Sequence, residues 1–192
     1  MNYKNLPIGD NPPHEVNVII EVPMNGTPAK YEMDKETGMI LVDRFLNVSM
    51  RYPDNYGFIP HTLSEDGDPL DVMVIEHTEI MSGAVVAVRP IGVLVMEDEN
   101  GMDEKIIAVP VDRLNPYYRD VKEYSDLRRE KRSTIEHFFE HYKDLEQGKW
   151  VKIHDAKGSK EAERIIQEAI DRAQAAENNV QPITQNQANR KP

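Results

Sequence analysis

Apolar and polar positions alternate through the first third of the chain in short, strand-sized runs. Val16-Asn17-Val18-Ile19-Ile20-Glu21-Val22 alternates enough to predict a strand. Asn25-Gly26, between Pro23 and Pro28, marks a turn. Ala29 to Asp34 alternates cleanly, so Lys30, Glu32 and Asp34 share one face while Tyr31 and Met33 take the other. Lys35-Glu36-Thr37-Gly38 turns the chain back, and Met39 to Arg44 is predicted as the hairpin partner. One hairpin thus delivers a lysine, a glutamate and an arginine. Tyr52 and Tyr56 follow in a stretch rich in Pro and Gly. Val72-Met73-Val74-Ile75 does not alternate and predicts a buried strand. Ala84 to Val88 and Ile91 to Met96 predict two more strands, parted by Arg89-Pro90, and Ile106 to Val109 predicts another.

From Asn115 the period lengthens to that of a helix. Ile135, Phe138, Phe139, Tyr142 and Leu145 fall on one predicted helical face, with Lys143 off it. Trp150 to Ile153 predicts a short strand, and Ser159 a helix N-cap. Ala162, Ile165, Ile166, Ala169, Ile170 and Ala173 then mark a second amphipathic helix. Residues 1–176 are expected to form one domain, and the Asn/Gln-rich residues 177–192 a polar, flexible tail without a catalytic role. Strands first and helices last predict an α+β domain, and a small closed barrel with helices outside hides the strand edges.

Composition narrows the function. The 192 residues carry a formal net charge of −11. That speaks against a nucleic-acid binder, which needs a basic stripe. With no cysteine there is no disulfide, thiolate zinc site or cysteine nucleophile, and a reducing, cytoplasmic setting is expected. The N-terminus lacks the apolar core of a signal peptide. The most apolar stretch, Gly83 to Val95, is too short to span a membrane.

The candidate chemistry centres on Asp66-Gly67-Asp68-Pro69-Leu70-Asp71. Gly67 and Pro69 force a tight turn that crowds three carboxylates at a strand entrance. Crowded carboxylates stay ionised only with positive charge among them, and their oxygens suit hard cations such as Mg²⁺ or Mn²⁺. An ordinary surface turn is the plain alternative. A calcium EF-hand loop fails on spacing: counted from Asp66, Asp71 stands where Gly is needed and His77 where Glu is needed. A second acidic turn, Glu97 to Lys105, also leads into a predicted strand. With Lys30, Arg44, Lys105 and Lys143 and the hydroxyls of Tyr56 and Tyr142, these turns could hold a polyanion through divalent ions. A structural ion-pair network is the competing explanation. No Gly-x-x-x-x-Gly-Lys phosphate loop occurs. The residues alone also admit a metal-dependent phosphatase or nucleotide hydrolase, and a noncatalytic OB-type binding module.

Taken together, the motifs resemble those of the soluble family I inorganic pyrophosphatases of bacteria. The signature Asp-x-Asp-Pro-x-Asp stands as Asp66 to Asp71, and around it lie Glu21, Lys30-x-Glu32, Arg44, Tyr52-Pro53-x-x-Tyr56-Gly57, Asp98-Glu99, Asp103-x-Lys105 and Tyr142-Lys143. The likeness runs roughly from Leu6 to Ile153. It implies a five-stranded, OB-like barrel with flanking C-terminal helices, and hydrolysis of pyrophosphate to two orthophosphates with several Mg²⁺ ions, Mn²⁺ or Zn²⁺ serving as substitutes. By the same resemblance, Asp66, Asp71 and Asp103 hold the tighter metal and Asp71 bridges to a second. Asp98 and Asp103 hold a further ion, with Glu32 helping at another. Asp68 is the implied general base. Lys30, Arg44, Tyr56, Lys105, Tyr142 and Lys143 hold the phosphates, supported by Glu21, Tyr52 and Glu99. A homohexamer is implied by the resemblance alone.

Overall fold

The computed structural model describes residues 5–180. Its first strand, β1 (Val16–Val22), is followed by the hairpin β2 (Ala29–Met33) and β3 (Ile40–Phe45). Then come β4 (Asn55–Phe58), β5 (Asp71–Val74), β6 (Val85–Asp98) and β7 (Gly101–Pro110). Helix α1 (Arg129–His141), strand β8 (Val151–Gly158) and helix α2 (Ser159–Val180) follow. Hydrogen bonding runs β1-β4-β5-β7-β6, and β6 pairs back onto β1, so five strands close into a ring. Among the described residues only β5–β7 is parallel. This is the α+β, OB-like closed barrel that the resemblance implies.

Strands β5, β6 and β7 are apolar on both faces because both faces are covered. Met73, Leu94, Met96, Ile107 and Val109 pack in one core with Ile135, Phe138 and Phe139 of α1. Val72, Val74, Val93, Ile106 and Ala108 pack in the other with Ala162, Ile165, Ile166, Ala169 and Ile170 of α2. Each fully buried aliphatic or aromatic side chain contributes about 1.5–3 kcal/mol. Double coverage explains why Val72 to Ile75 shows no alternation.

The structure corrects several expectations. The segments either side of Arg89-Pro90 form one strand, β6, bent by a bulge between Pro90 and Gly92. A bulge is where a strand tolerates a proline that cannot donate to the ladder. β6 therefore serves three neighbours: Val85 to Val88 pair with β1, Gly92 to Asp98 with β8, and nearly its whole length with β7. Helix α1 stops at His141, with Tyr142 as its C-cap, so Leu145 leaves the helical face and is exposed. β8 is twice the expected length. Ser159 does not cap through its own side chain; its N–H and hydroxyl both donate to the Glu123 carboxylate, at 2.7 Å each. Helix α2 continues to Val180, past the expected tail boundary at Glu177, because Ala173, Ala175 and Ala176 favour helix. The tail from residue 181 onward lies outside the described residues.

One close approach is decisive for closure. Gly57, on β4, lies opposite Ile20 of β1. A Cβ there would sit 1.9 Å from the Ile19 carbonyl oxygen, a backbone atom that cannot swing away. Gly57→Ala should cost about 3 kcal/mol or more, seen as a fall in the urea midpoint without change of fold.

Candidate active site

The barrel gathers one polar cleft of about 200 Å³. Each contributing element delivers its groups for a local reason. In the turn before β5, the Asp66 carboxylate accepts the Asp68 N–H at 3.0 Å, and Gly67 adopts φ 95°. Below it, the buried Thr62 hydroxyl donates to the Ile59 carbonyl and accepts the Leu70 N–H, anchoring the turn to the barrel. In the β6–β7 hairpin, Asp98 accepts the Asn100 N–H at 2.8 Å, and Gly101 has φ 127°. In the β2–β3 hairpin Lys30 lies opposite Arg44. Past α1, the chain presents Tyr142 and Lys143.

All the residues singled out from the sequence line this cleft: Glu21, Lys30, Glu32, Arg44, Tyr52, Tyr56, Asp66, Asp68, Asp71, Asp98, Glu99, Asp103, Lys105, Tyr142 and Lys143. Lys35, Phe58, Pro69, Asn100, Met102 and Lys149 join them unforeseen. Lys35 reads from the sequence only as part of a turn, and Lys149 lies just before the predicted strand that starts at Trp150. Neither position carries a local signal, since both are brought in by tertiary folding.

The cleft is lined by eight carboxylates and six cationic side chains. The Lys105 ammonium, 5% exposed, lies 2.5 Å from Asp71 Oδ2 and 2.5 Å from Asp103 Oδ1. Burial pulls the Lys105 pKa down, but Asp71 and Asp103 lift it well above its ordinary value. Burial pushes the Asp71 carboxyl up, and Lys105 and the Tyr56 hydroxyl outweigh it, so Asp71 stays below the usual carboxylate range. Asp103 is raised, because burial and Asp71 together outweigh Lys105. Lys143 Nζ stands 2.7 Å from Asp98 Oδ2, and although burial opposes it, that bond holds Asp98 low. Lys30 pairs with Glu32, and at 3.6 Å with Asp43. Arg44 contacts Asp43 at 3.3 Å and Glu146 at 3.1 Å. Burial raises Tyr52 to about 12 and drives Tyr56 and Tyr142 further up, so these hydroxyls remain protonated donors.

The donor set suits a hard divalent cation: oxygen ligands only, no thiolate, and a carboxylate excess before any anion enters. Among the described residues no three acidic or imidazole groups already form a ligand cage. Lysine ammoniums lie between the carboxylates instead.

Comparison with known proteins decides the family. A sequence model of the family described as inorganic pyrophosphatase matches residues 18–174. The inorganic pyrophosphatase of Mesorhizobium japonicum is 58% identical over 173 residues, covering 90% of this chain and 98% of that protein. The chain belongs to the inorganic pyrophosphatase family. It is therefore an enzyme, a hydrolase. Solved structures agree with the fold. An inorganic phosphatase from Anaplasma phagocytophilum matches at TM-score 0.87 and 46% identity, covering 88% of this chain and 99% of that one. The inorganic pyrophosphatase of Thermus thermophilus matches at TM-score 0.85 and 42% identity, covering 91% and 99%. Among the described residues no helix is long and apolar enough to cross a membrane.

At the floor of this pyrophosphatase cleft lies Glu21, 4% exposed, accepting the Met33 N–H at 2.7 Å. Burial pushes its carboxyl up to about 7; the Met33 N–H opposes the rise and Asp71 adds to it. The folded chain thus binds a proton at Glu21 between about pH 4.5 and 7 that the unfolded chain releases. This contribution to stability is complete below the unfolded pKa and is lost as pH rises through the folded one. Glu21→Gln keeps an acceptor for Met33 and removes the charge. Urea unfolding of metal-free protein should find the variant equal to wild type at pH 4 and more stable at pH 8, by about 3 kcal/mol.

Proposed function

We propose that this chain hydrolyses inorganic pyrophosphate to two orthophosphates in the cleft, with Mg²⁺ as cofactor and Asp68 as general base. The observation that carries the assignment of the base is a contrast within the carboxylate wall. Asp71, Asp98, Asp103 and Glu32 are each paired with a lysine, and Asp66 accepts a backbone N–H. Among the described residues the Asp68 carboxylate has no ion pair or hydrogen-bond partner, and it is exposed to the cleft. A carboxylate unsaturated in this way is the one able to accept a proton from an attacking water.

Asp66, Asp71, Asp98, Asp103 and Glu32 would hold the Mg²⁺ ions, with Mn²⁺ or Zn²⁺ as substitutes. When bound, such ions supply charge to offset the phosphate oxygens and lower the pKa of water. The chain's own groups do the rest. Lys30, Arg44, Lys105 and Lys143 offer charged donors to the phosphate oxygens, and the protonated hydroxyls of Tyr56 and Tyr142 offer neutral ones. Glu21, Tyr52 and Glu99 support these groups from behind. Water oxygen attacks one phosphorus, the bridging P–O bond breaks, and the water's proton passes to Asp68. The second orthophosphate carries away the bond's electron pair.

Orthophosphate release from pyrophosphate with Mg²⁺ tests this. Release should be fast, vanish with EDTA, and fall by about 10²–10⁴-fold in Asp68→Asn while the fold survives. Release retained in Asp68→Asn would move the base elsewhere, and no release from metal-loaded wild type would overturn the activity.

We also infer a cytoplasmic homohexamer. The absence of cysteine suits a reducing compartment. Exposed Met39, Leu41, Val42 and Phe45 supply apolar surface on and beside β3 that a second copy could cover. Sedimentation should give six times the chain mass, and Phe45→Glu should shift the protein to smaller species.

A further inference from the structure

Arg44 sits on a hairpin that forms a separate two-stranded sheet, outside the hydrogen-bonded ring of the barrel. Its aim into the cleft must therefore be set by side-chain contacts. Two carboxylates engage it. Asp43, 3.3 Å from Nη1, is its neighbour on the same strand and moves with the hairpin. Glu146, 3.1 Å from Nε, comes from the segment between α1 and β8, the same segment that carries Lys143. Glu146 Oε1 and Arg44 Nε are both buried, and they face each other without the alignment of a hydrogen bond. The other Glu146 oxygen lies 3.4 Å from Lys149, whose ammonium also stands 3.8 Å from Glu99 on the β6–β7 side. Opposite charges thus alternate across the cleft mouth from the hairpin to the barrel.

We propose that Glu146 is a positioning residue for substrate binding: it fixes the Arg44 guanidinium, and with it Lys149, in the orientation that receives a phosphate group. The proposal rests on the reading that Arg44 holds pyrophosphate. Its physical logic is a conflict of sign. A carboxylate beside a site for a polyanion weakens the attraction for that polyanion. Such a group is useful there only if ordering a long, rotamer-rich arginine outweighs the lost potential. Simple electrostatics therefore has loss of the Glu146 charge tighten binding, whereas positioning has it weaken binding.

The test is steady-state kinetics on Mg²⁺-loaded enzyme with Glu146→Gln, Glu146→Asp, Arg44→Ala and the double variant Arg44→Ala/Glu146→Gln. Glu146→Gln should raise KM for pyrophosphate about 10-fold, with kcat changed less than about 3-fold, the pattern of lost uniform binding. Glu146→Asp retains the charge but shortens the reach, and should raise KM as well. In the Arg44→Ala background, Glu146→Gln should add little, because the group it orients is gone. An unchanged or lower KM in folded Glu146→Gln and Glu146→Asp, or a full additional effect in the Arg44→Ala background, would overturn the proposal. Arg44→Ala with wild-type KM would instead sink the phosphate-holding role of Arg44, and this inference with it.

Discussion

The Lys105 ammonium between Asp71 and Asp103 is the contact on which the cleft depends. Asp71 opens β5 and Lys105 lies on β7, next to the parallel pairing of Val72 with Ile106. Without the ammonium, two carboxylates would crowd a mostly buried corner with only the Tyr56 hydroxyl and the more distant Lys30 to offset Asp71. Deleting one member of a buried ion pair typically costs about 3–5 kcal/mol, because the remaining charge is left stranded. The same pair also reserves charge. An ammonium held by two carboxylates is desolvated in advance, so it can face a phosphate without first shedding water.

Legibility of the fold follows burial. The β2–β3 hairpin is half-exposed, so its alternation could be read, and Lys30, Glu32 and Arg44 were placed from it. Strands buried on both faces could be recognised, but β6 and β7 run past their apolar stretches into the charged residues Glu97-Asp98 and Asp103 to Lys105, which read as turn. β6 was divided at Arg89-Pro90 since a proline in a strand normally signals a break, and only the tertiary bulge makes it tolerable. Leu145 kept the helical period after the helix had stopped, which a cap at Tyr142 decided and periodicity could not.

The cleft was legible for a different reason. Six of its eight carboxylates lie in two compact stretches, Asp66 to Asp71 and Asp98 to Asp103, and such clusters stand out in a linear chain. The roles of the individual residues came from family resemblance, because spacing cannot choose pyrophosphate over another small phosphate. Lys35, Glu146 and Lys149 stayed hidden. Each meets its partners through folding, and a lone glutamate or lysine in a polar segment looks like solvated surface.

The sharing of β6 among three neighbours bears on how the chain acquires its shape. Ring closure pairs Val16 with Val88, contacts far apart in sequence, and β8 pairs with the other half of the same strand. Non-local pairings of this kind are slow because loop entropy is lost before any contact forms. During synthesis the early strands must therefore wait for β6, and the cleft stays open on one side until the segment carrying Tyr142 and Lys143 has emerged. Catalytic competence is thus one of the last properties the nascent chain gains, well after most of its carboxylates have been made.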